Sequence, residues 1–328
     1  GRVVGQGWHR RAGEPHAEAI ALRVAGEAAR GATLYCTLEP CSFVGRTPAC
    51  ASAVVESGVA RLVLGSTDPD ARVRGRGIAR IRRAGIEVTT GVESEASEVL
   101  LRFYRKHRTV GMPWVRLKLG ASLDGRIATT TGASRWITGP EAREMVHRWR
   151  DELDAIVVGV GTVLADDPSL TCRRVGGRDP IRVVVDGRLR TPPAAKLFRE
   201  GEAPVWIATT RDAPAARARR LEESGATIVR VSARQGKVDL RSLLRALGKR
   251  GLTSALVEGG ARLGADLVAR RLVDEICVFT APLLIGGDGI PMIGSIGARS
   301  LPEAVRLREV RVTPVGADYL WRARLDGG

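Results

Sequence analysis

The segments PHAE (residues 15–18) and EPCSFVGRTPAC (residues 39–50) determine what the first part of this chain can be. Together they supply one imidazole (His16), one carboxylate (Glu18) and two thiols (Cys41 and Cys50). One histidine and two cysteines can hold a zinc ion and leave its fourth position open, as in catalytic zinc sites, whereas structural sites are closed by four ligands. We therefore predict that His16, Cys41 and Cys50 bind zinc and that Glu18 moves protons beside it.

The same pattern, H-x-E followed by P-C and a second cysteine, is the signature of zinc deaminases that act on nitrogen heterocycles. In that chemistry zinc activates water, and Glu18 relays the proton to a ring nitrogen and then to the departing ammonia. A structural zinc site, or an exposed histidine beside two buried cysteines, is the alternative; the combination with Glu18 and Pro40 favours catalysis. Cys36 could be a spare ligand, but its position within a predicted strand favours a buried free thiol. The other histidines (His9, His107 and His147) have no such neighbours, and we expect them to be ordinary surface or core residues.

The 328 residues are enough for two domains, and the pattern of apolar runs predicts alternating strands and helices along the whole chain. The charged stretch 105–113 ends in Gly-Met-Pro and predicts a boundary between a domain at 1–110 and a domain at 111–328. The sequence starts at Gly1 on a stretch, Arg2–Gly5, that we interpret as a strand, and we expect a segment upstream of it to be missing.

Glycine-rich blocks distinguish the second half. Glu258-Gly259-Gly260 ends a predicted strand and begins a predicted helix, where phosphate can approach the backbone and the helix N-terminus attracts its charge. Gly159-x-Gly161 lacks the rest of a dinucleotide fingerprint, and either glycine pair alone could simply mark a tight turn. Lys118 could polarise a substrate oxygen or pair with a carboxylate, and Asp124 could be catalytic or a turn residue. We predict a catalytic role for both.

Two groups of motifs make the resemblance to a known family specific. TLEPC (37–41), GRTPAC (45–50) and Asp68-Pro69 resemble the deaminase half of the bifunctional deaminase/reductase family of riboflavin biosynthesis, in which eight residues separate the cysteines as they do here. The blocks at 118–126, 132–138, 159–173 and 257–266 resemble the reductase half of the same family. The resemblance implies an α/β protein with an N-terminal cytidine-deaminase-like three-layer domain, without its usual first helix and strand, and a C-terminal dihydrofolate-reductase-like domain.

The resemblance also implies substrates, cofactors and site residues. The first domain would deaminate 2,5-diamino-6-(5-phosphoribosylamino)pyrimidin-4-one with Zn2+, and the second would reduce the ribose of the product to ribityl with NADPH. The implied NADPH contacts are Gly120, Trp136, Thr162, Asp166, Gly260, Ala261, Arg262, Leu263, Gly264, Ala265 and Asp266. The implied substrate contacts are Ser134, Arg150, Leu170, Arg173 and Glu258, of which Arg150 and Arg173 suit the 5-phosphate. For each arginine a surface ion pair is the simpler alternative.

The net charge of +16 invites a nucleic-acid interpretation, but the 52 basic residues are spread along the chain and are not interleaved with aromatic residues. We expect a small-molecule phosphorylated substrate, no nucleic-acid or membrane partner, and a homo-oligomer. Five widely spaced cysteines favour a reduced, cytoplasmic protein. Two other functions remain open at this point: a nucleic-acid base deaminase with an appended binding domain, and a metal-stabilised scaffold without activity.

Overall fold

The computed structural model describes residues 1–11 and 13–325, and the chain divides into two compact units, Gly1–Val110 and Gly111–Gly328. Across the described residues, no helix combines the length and the apolar character that a membrane crossing requires.

The first unit is a parallel sheet covered by helices on both faces. Its helices are α1 (Ala17–Ala25), α2 (Cys50–Glu56), α3 (Arg76–Arg83) and α4 (Ser94–Val110), and its strands are β1 (Thr33–Leu38), β2 (Arg61–Ser66) and β3 (Glu87–Thr90), with a 3-10 turn at Gly26–Ala29. The strands pair in the order β1-β2-β3. Leu62 and Leu64 of β2 are fully buried in a cluster with α2 and α3, while Gly65 lies against Ser97 of α4. The predicted three-layer α/β domain is thereby confirmed.

One local expectation for this unit was wrong. Residues 2–5 form no strand, because no strand pairs with them; the segment lies extended against α1, where Gly5 and Gly7 permit close backbone contact. A Cβ atom at Gly7 would lie 2.7 Å from Cβ of Ile20. The charged stretch at 105–113 is helical up to Val110, as the last part of the amphipathic helix α4, and the two units divide between Val110 and Gly111.

The second unit is built on a nine-stranded sheet. Its long strands are β4 (Trp114–Ser122), β6 (Ala155–Gly159), β7 (Ile181–Val185), β8 (Val205–Thr210), β9 (Ala226–Val231), β12 (Ser254–Val257), β13 (Glu275–Ala281), β15 (Leu307–Val315) and β16 (Asp318–Leu325). Two small antiparallel pairs are β5 (Arg126–Ala128) with β14 (Ile290–Pro291), and β10 (Ala233–Arg234) with β11 (Lys237–Val238). The helices are α5 (Pro140–Glu152), α6 (Val160–Asp166), α7 (Ala215–Glu223), α8 (Leu240–Lys249) and α9 (Ala261–Ala269), with 3-10 turns at Lys196–Phe198 and Leu301–Glu303.

The sheet order is β15-β16-β13-β4-β12-β6-β7-β8-β9, and only β16 runs against its neighbours. Apolar residues of α8 and α9 fill one face and those of α6 and α7 fill the other. This mixed architecture agrees with the predicted dihydrofolate-reductase-like fold. In the ladder Leu117 pairs with Val257 and Val257 with Val157, so the residues that follow, Lys118 and Glu258, lie side by side towards the carboxyl ends of the parallel strands. Ligand sites of open α/β sheets form at that edge.

Candidate active sites

His16 and the two predicted cysteine ligands come together in the first unit. His16 is the extended N-cap residue of α1, Cys41 follows β1, and Cys50 is the first residue of α2. Nδ1 of His16 lies 3.1 Å from Sγ of Cys50 and 3.7 Å from Sγ of Cys41. All three ligand atoms are within 4.8 Å of one another, and within residues 1–11 and 13–325 no fourth side chain joins the group.

This triangle fits zinc. Tetrahedral coordination with Zn–N near 2.0 Å and Zn–S near 2.3 Å places a nitrogen and a sulfur ligand about 3.5 Å apart, and the two distances from Nδ1 of His16 lie on either side of that value. Three ligands leave one position for water or substrate. Cys36 does not belong to the group, and burial raises the pKa of its thiol. It is a free thiol, as its position in a strand predicted, although it is half-buried rather than fully buried.

The backbone prepares Cys41 to be a thiolate. The N–H of Cys50, at the start of α2, donates to Sγ of Cys41 over 3.2 Å, and the N–H of Ala51 donates to the carbonyl of Cys41 over 3.0 Å. Hydrogen bonding from the thiol of Cys50, with further contributions from His16 and that N–H, lowers the pKa of Cys41 to about 4. The same contact raises the pKa of Cys50, since one negative charge disfavours a second beside it.

Glu18 lies on the first turn of α1, beside the ligands. Its carboxylate is within hydrogen-bonding reach of the Cys50 thiol, and burial raises its pKa above the ordinary glutamate value. A carboxyl group whose pKa is raised is able both to take and to return a proton near neutral pH. The structure thus places Glu18 beside the three predicted zinc ligands.

Several side chains around this site were not predicted. The carboxylate of Glu39, directly before Pro40, is buried and accepts the backbone N–H groups of Asp68, Gly75, Gly77 and Ile78 at 3.0–3.3 Å. It thereby fastens the loop before α3 to the cysteine segment. The motif TLEPC contains this glutamate, so the sequence could have identified it as a site residue. Its four partners could not be identified in this way, because they lie far along the chain.

The long loop between the cysteines is held by the loop after β2. Ser42 donates to the carbonyl of Arg72 over 3.2 Å, and the guanidinium of Arg72 lies 4.7 Å from the ring centroid of Phe43. Asp68 is buried and accepts from the Tyr104 hydroxyl at 3.0 Å. His9 also differs from expectation, because its ring packs edge-on against that of His16, with 5.1 Å between centroids.

A second group of predicted residues meets at the carboxyl edge of the nine-stranded sheet. Glu258 directly follows β12 and forms a two-point ion pair with Arg150 of α5, at 2.7 Å and 3.1 Å. Arg150 also donates to the carbonyl of Thr171 over 2.8 Å. Burial opposes ionisation of Glu258, but Arg150 and Lys118 together hold its pKa below the ordinary value. Burial likewise lowers the pKa of Lys118.

Gly120 lies two residues beyond Lys118 on β4. A Cβ atom there would lie 3.2 Å from Cγ2 of Thr138 and 3.7 Å from Nζ of Lys118, so a side chain at Gly120 would crowd the space around the lysine. Trp136 is 65% exposed, and the Arg143 guanidinium lies 4.5 Å from its ring centroid. The exposed ring of Trp136 and the space left by the missing side chain at Gly120 suit the binding of a planar cofactor.

The remaining predicted cofactor contacts lie on α6 and α9. Thr162 is half-buried in the first turn of α6, and Asp166 is exposed at its end, where its carbonyl accepts from Arg135 over 3.1 Å. Gly260 is the N-cap of α9, and a Cβ atom there would meet nothing within 4 Å. Along the helix Ala261, Leu263 and Asp266 are half-buried and Arg262 is exposed, whereas Gly264 and Ala265 are buried. The N–H of Gly264 donates to the carbonyl of Gly260, and the open space around Gly260 lies at the start of this helix.

Asp124 lies in the turn after β4, and its contacts support the turn alternative. Its carboxylate accepts from the Ser122 hydroxyl at 2.5 Å and from the N–H groups of Ile285 and Gly286 at 3.2 Å and 2.7 Å. The Ser122 hydroxyl and these N–H groups lower the pKa of Asp124 to about 2. The residue therefore joins two loops as a permanent anion.

The predicted substrate contacts Ser134, Leu170 and Arg173 lie on loops. Ser134 is half-buried before α5, and its carbonyl accepts from Ile137 over 3.2 Å. Leu170 is 3% exposed and has a left-handed backbone, with φ of 59°. Arg173 is exposed three residues further on.

Comparisons with known proteins agree with both sites. Residues 1–66 match the cytidine and deoxycytidylate deaminase zinc-binding region, and residues 113–321 match the RibD C-terminal domain. The chain is 41% identical to the riboflavin biosynthesis protein RibD of Escherichia coli, over 97% of this chain and 89% of that protein. The solved structure of Acinetobacter baumannii RibD matches 98% of this chain and 88% of that chain, at 35% identity with a TM-score of 0.86.

A Thermotoga maritima structure described as a diaminohydroxyphosphoribosylaminopyrimidine deaminase/5-amino-6-(5-phosphoribosylamino)uracil reductase is also similar. It matches 98% of this chain and 88% of its own, with 33% identity and a TM-score of 0.82. The family model covers more than half of the chain, and the identity to full-length relatives is high over nearly the whole sequence. The chain therefore belongs to the RibD family of bifunctional deaminase/reductases of riboflavin biosynthesis.

Proposed function

We propose that the two activities of this family are divided between the two units of the chain. Residues 1–110 deaminate 2,5-diamino-6-(5-phosphoribosylamino)pyrimidin-4-one, and residues 111–328 reduce the ribose of the product to a ribityl chain. The observation that supports the first assignment is the arrangement of His16, Cys41 and Cys50 with the carboxylate of Glu18 beside them. The second rests on Lys118, Arg150 and Glu258 at the carboxyl edge of the larger sheet.

In the first unit His16, Cys41 and Cys50 would hold zinc, which when bound supplies a nucleophile from water at neutral pH. Glu18 takes the proton of that water on a carboxylate oxygen and delivers it to a ring nitrogen of the substrate. It would then take the proton that remains on the added hydroxyl and deliver it to the amino group, which leaves as ammonia when the C–N bond breaks. The half-buried position of Glu18 suits this exchange, because burial raises its pKa.

In the second unit NADPH supplies the hydride when bound. Gly120, Trp136, Thr162, Asp166 and the segment 260–266 would hold it. Arg150 and Arg173 would bind the 5-phosphate, with Ser134 and Leu170 lining the substrate. Glu258 fixes Arg150 through two hydrogen bonds, and Lys118 offers a donor for a substrate oxygen. The contacts of Asp124 support a positioning role in the turn.

The experiment that tests the division is a single substitution, Glu18→Gln. It removes the carboxylate at nearly constant shape, so we expect ammonia release to fall at least a hundredfold, in line with the loss of a general acid–base residue. NADPH oxidation with the deaminated substrate should be unchanged. Loss of both activities together would contradict two independent sites. The family assignment does not favour the alternative function, a nucleic-acid base deaminase. Ammonia release from a polynucleotide but not from the free nucleotide would support that alternative.

We further propose that the enzyme works as a homo-oligomer in the cytoplasm, on small molecules rather than on nucleic acids or membranes. The edge strand β15 is exposed along nearly its whole length, and with β16 it presents Val310, Val312, Tyr319 and Trp321 to solvent. Exposed apolar strand edges are sites of chain association. All five cysteines are free thiols, as a reducing compartment requires. Sedimentation of the native chain tests the oligomer, and a purely monomeric species at micromolar concentration would refute it.

A further inference from the structure

The loop that carries Arg173 is fixed by side chains at three consecutive residues. The carbonyl of Thr171 accepts from Arg150 at 2.8 Å, the N–H of Cys172 donates to Asp179 at 2.6 Å, and the N–H of Arg173 donates to Nδ1 of His147 at 3.3 Å. The loop begins at Leu170, whose left-handed backbone persists only where neighbouring contacts determine it. The contacts therefore hold Arg173 in one backbone geometry.

His147 lies on α5, three positions before Arg150, so the two side chains share one face of the helix. The residue is half-buried, and its backbone carbonyl accepts from the Cys172 thiol at 3.4 Å. An imidazole whose Nδ1 accepts a hydrogen bond is neutral and carries its proton on Nε2. Burial lowers the pKa of His147 and so do the facing charges of Arg150 and Arg173, while Glu258 and Glu144 act in the opposite direction.

We propose that His147 in its neutral form is a positioning residue for phosphate recognition in the reductase site. It accepts the backbone N–H of Arg173 and so aims that guanidinium at the same anion as Arg150. A protonated imidazole would lose this acceptor, and the loop would lose the hydrogen bond that holds the backbone N–H of Arg173. This inference rests on the proposed binding of the 5-phosphate by Arg173.

The test measures kcat and KM for NADPH oxidation with the deaminated, phosphorylated substrate. His147→Leu removes the acceptor, and we expect KM for this substrate to rise about tenfold, which is the effect of one lost hydrogen bond. The kcat and the KM for NADPH should not change, because neither depends on the Arg173 loop. His147→Asn keeps an acceptor at the position of Nδ1 and should remain within about twofold of the wild type. Arg148→Ala is the matched control, since Arg148 is an exposed neighbour on the same helix.

A pH series gives a second readout. As the pH falls through the pKa of His147, the wild-type KM should rise more steeply than that of His147→Asn, whereas titration of the substrate phosphate affects both equally. Parallel profiles, or an unchanged KM in His147→Leu, would overturn the inference. If His147→Leu does not fold, the pH comparison of the wild type with His147→Asn decides alone. Arg173→Ala distinguishes the proposed role of Arg173 from that of His147. An unchanged KM in Arg173→Ala refutes phosphate binding by Arg173. A raised KM in Arg173→Ala together with an unchanged KM in His147→Leu refutes only the positioning role of His147.

Discussion

Glu258→Gln removes one charge from an ion pair that is almost entirely out of water. The side chains of Arg150 and Glu258 are 12% and 13% exposed, and two hydrogen bonds join them. Removing one partner of such a pair leaves the other charge buried without compensation, which typically costs about 3–5 kcal/mol of stability. The glutamine keeps the shape and can still accept one hydrogen bond from Arg150. We therefore expect a loss of about 3 kcal/mol in the free energy of unfolding of the second unit.

The assay is urea unfolding of the full chain followed by tryptophan fluorescence. Five of the six tryptophans lie in residues 111–328, so the signal reports mainly on the second unit. Glu144→Gln is the control, because Glu144 belongs to α5 as Arg150 does but is 49% exposed and lies 3.6 Å from Arg148. Exposed pairs contribute at most about 1 kcal/mol.

Ammonia release by the Glu258→Gln variant should equal that of the wild type below the unfolding transition, because the deaminase residues lie in the first unit. A stability loss no larger than that of Glu144→Gln would refute the argument from burial. A parallel loss of ammonia release would contradict the assignment of the two sites to separate units.

Three further outcomes are expected. Cys41→Ser should lower the zinc content measured by atomic absorption and abolish ammonia release without changing NADPH oxidation; a variant that retains one zinc per chain would contradict the ligand assignment. Asp239→Ala should destabilise the second unit by about 1–2 kcal/mol, because Asp239 caps α8 through the N–H of Ser242 at 2.6 Å and pairs with Arg270 at 2.7 Å. Burial opposes ionisation of Asp239, but these contacts hold its pKa below the value of 3.8 that it has unfolded. Its contribution is therefore present above pH 3.8 and lost as the pH falls through the folded-state pKa, and an equal deficit of the variant at all pH values would contradict this. Gly259→Ala should raise the KM for NADPH, since a Cβ atom would lie 2.8 Å from Cδ2 of Leu263 and displace the first turn of α9; an unchanged KM would show that this turn does not touch the cofactor.

The zinc group could be predicted because its signal is local and chemical. His16, Glu18, Cys41 and Cys50 belong to two short segments, and only a few residue types can serve as zinc ligands. Strands such as Ala155–Gly159 could also be predicted from the sequence, because a fully buried parallel strand is apolar at every position. The helix α4 was not recognised as one element, because polar and charged residues hide its apolar stripe.

Contacts between distant residues could not be predicted. Arg150 and Glu258 are 108 residues apart, and nothing in either segment indicates that they form an ion pair rather than two separate substrate contacts. Asp124 is similar, because its partners at 285 and 286 come from a loop 161 and 162 residues away. The strand expected at 2–5 failed for a related reason: a strand is defined by its partner, and the sequence does not show whether one is present.

The residues proposed for each of the two sites lie within a single unit. Natural selection can therefore act on the two reactions independently, and a lineage that obtained one product from its surroundings could lose the corresponding chemistry by point mutation while the other remained intact. Two differently damaged copies, mixed in one solution, would between them still carry the starting pyrimidine through both steps.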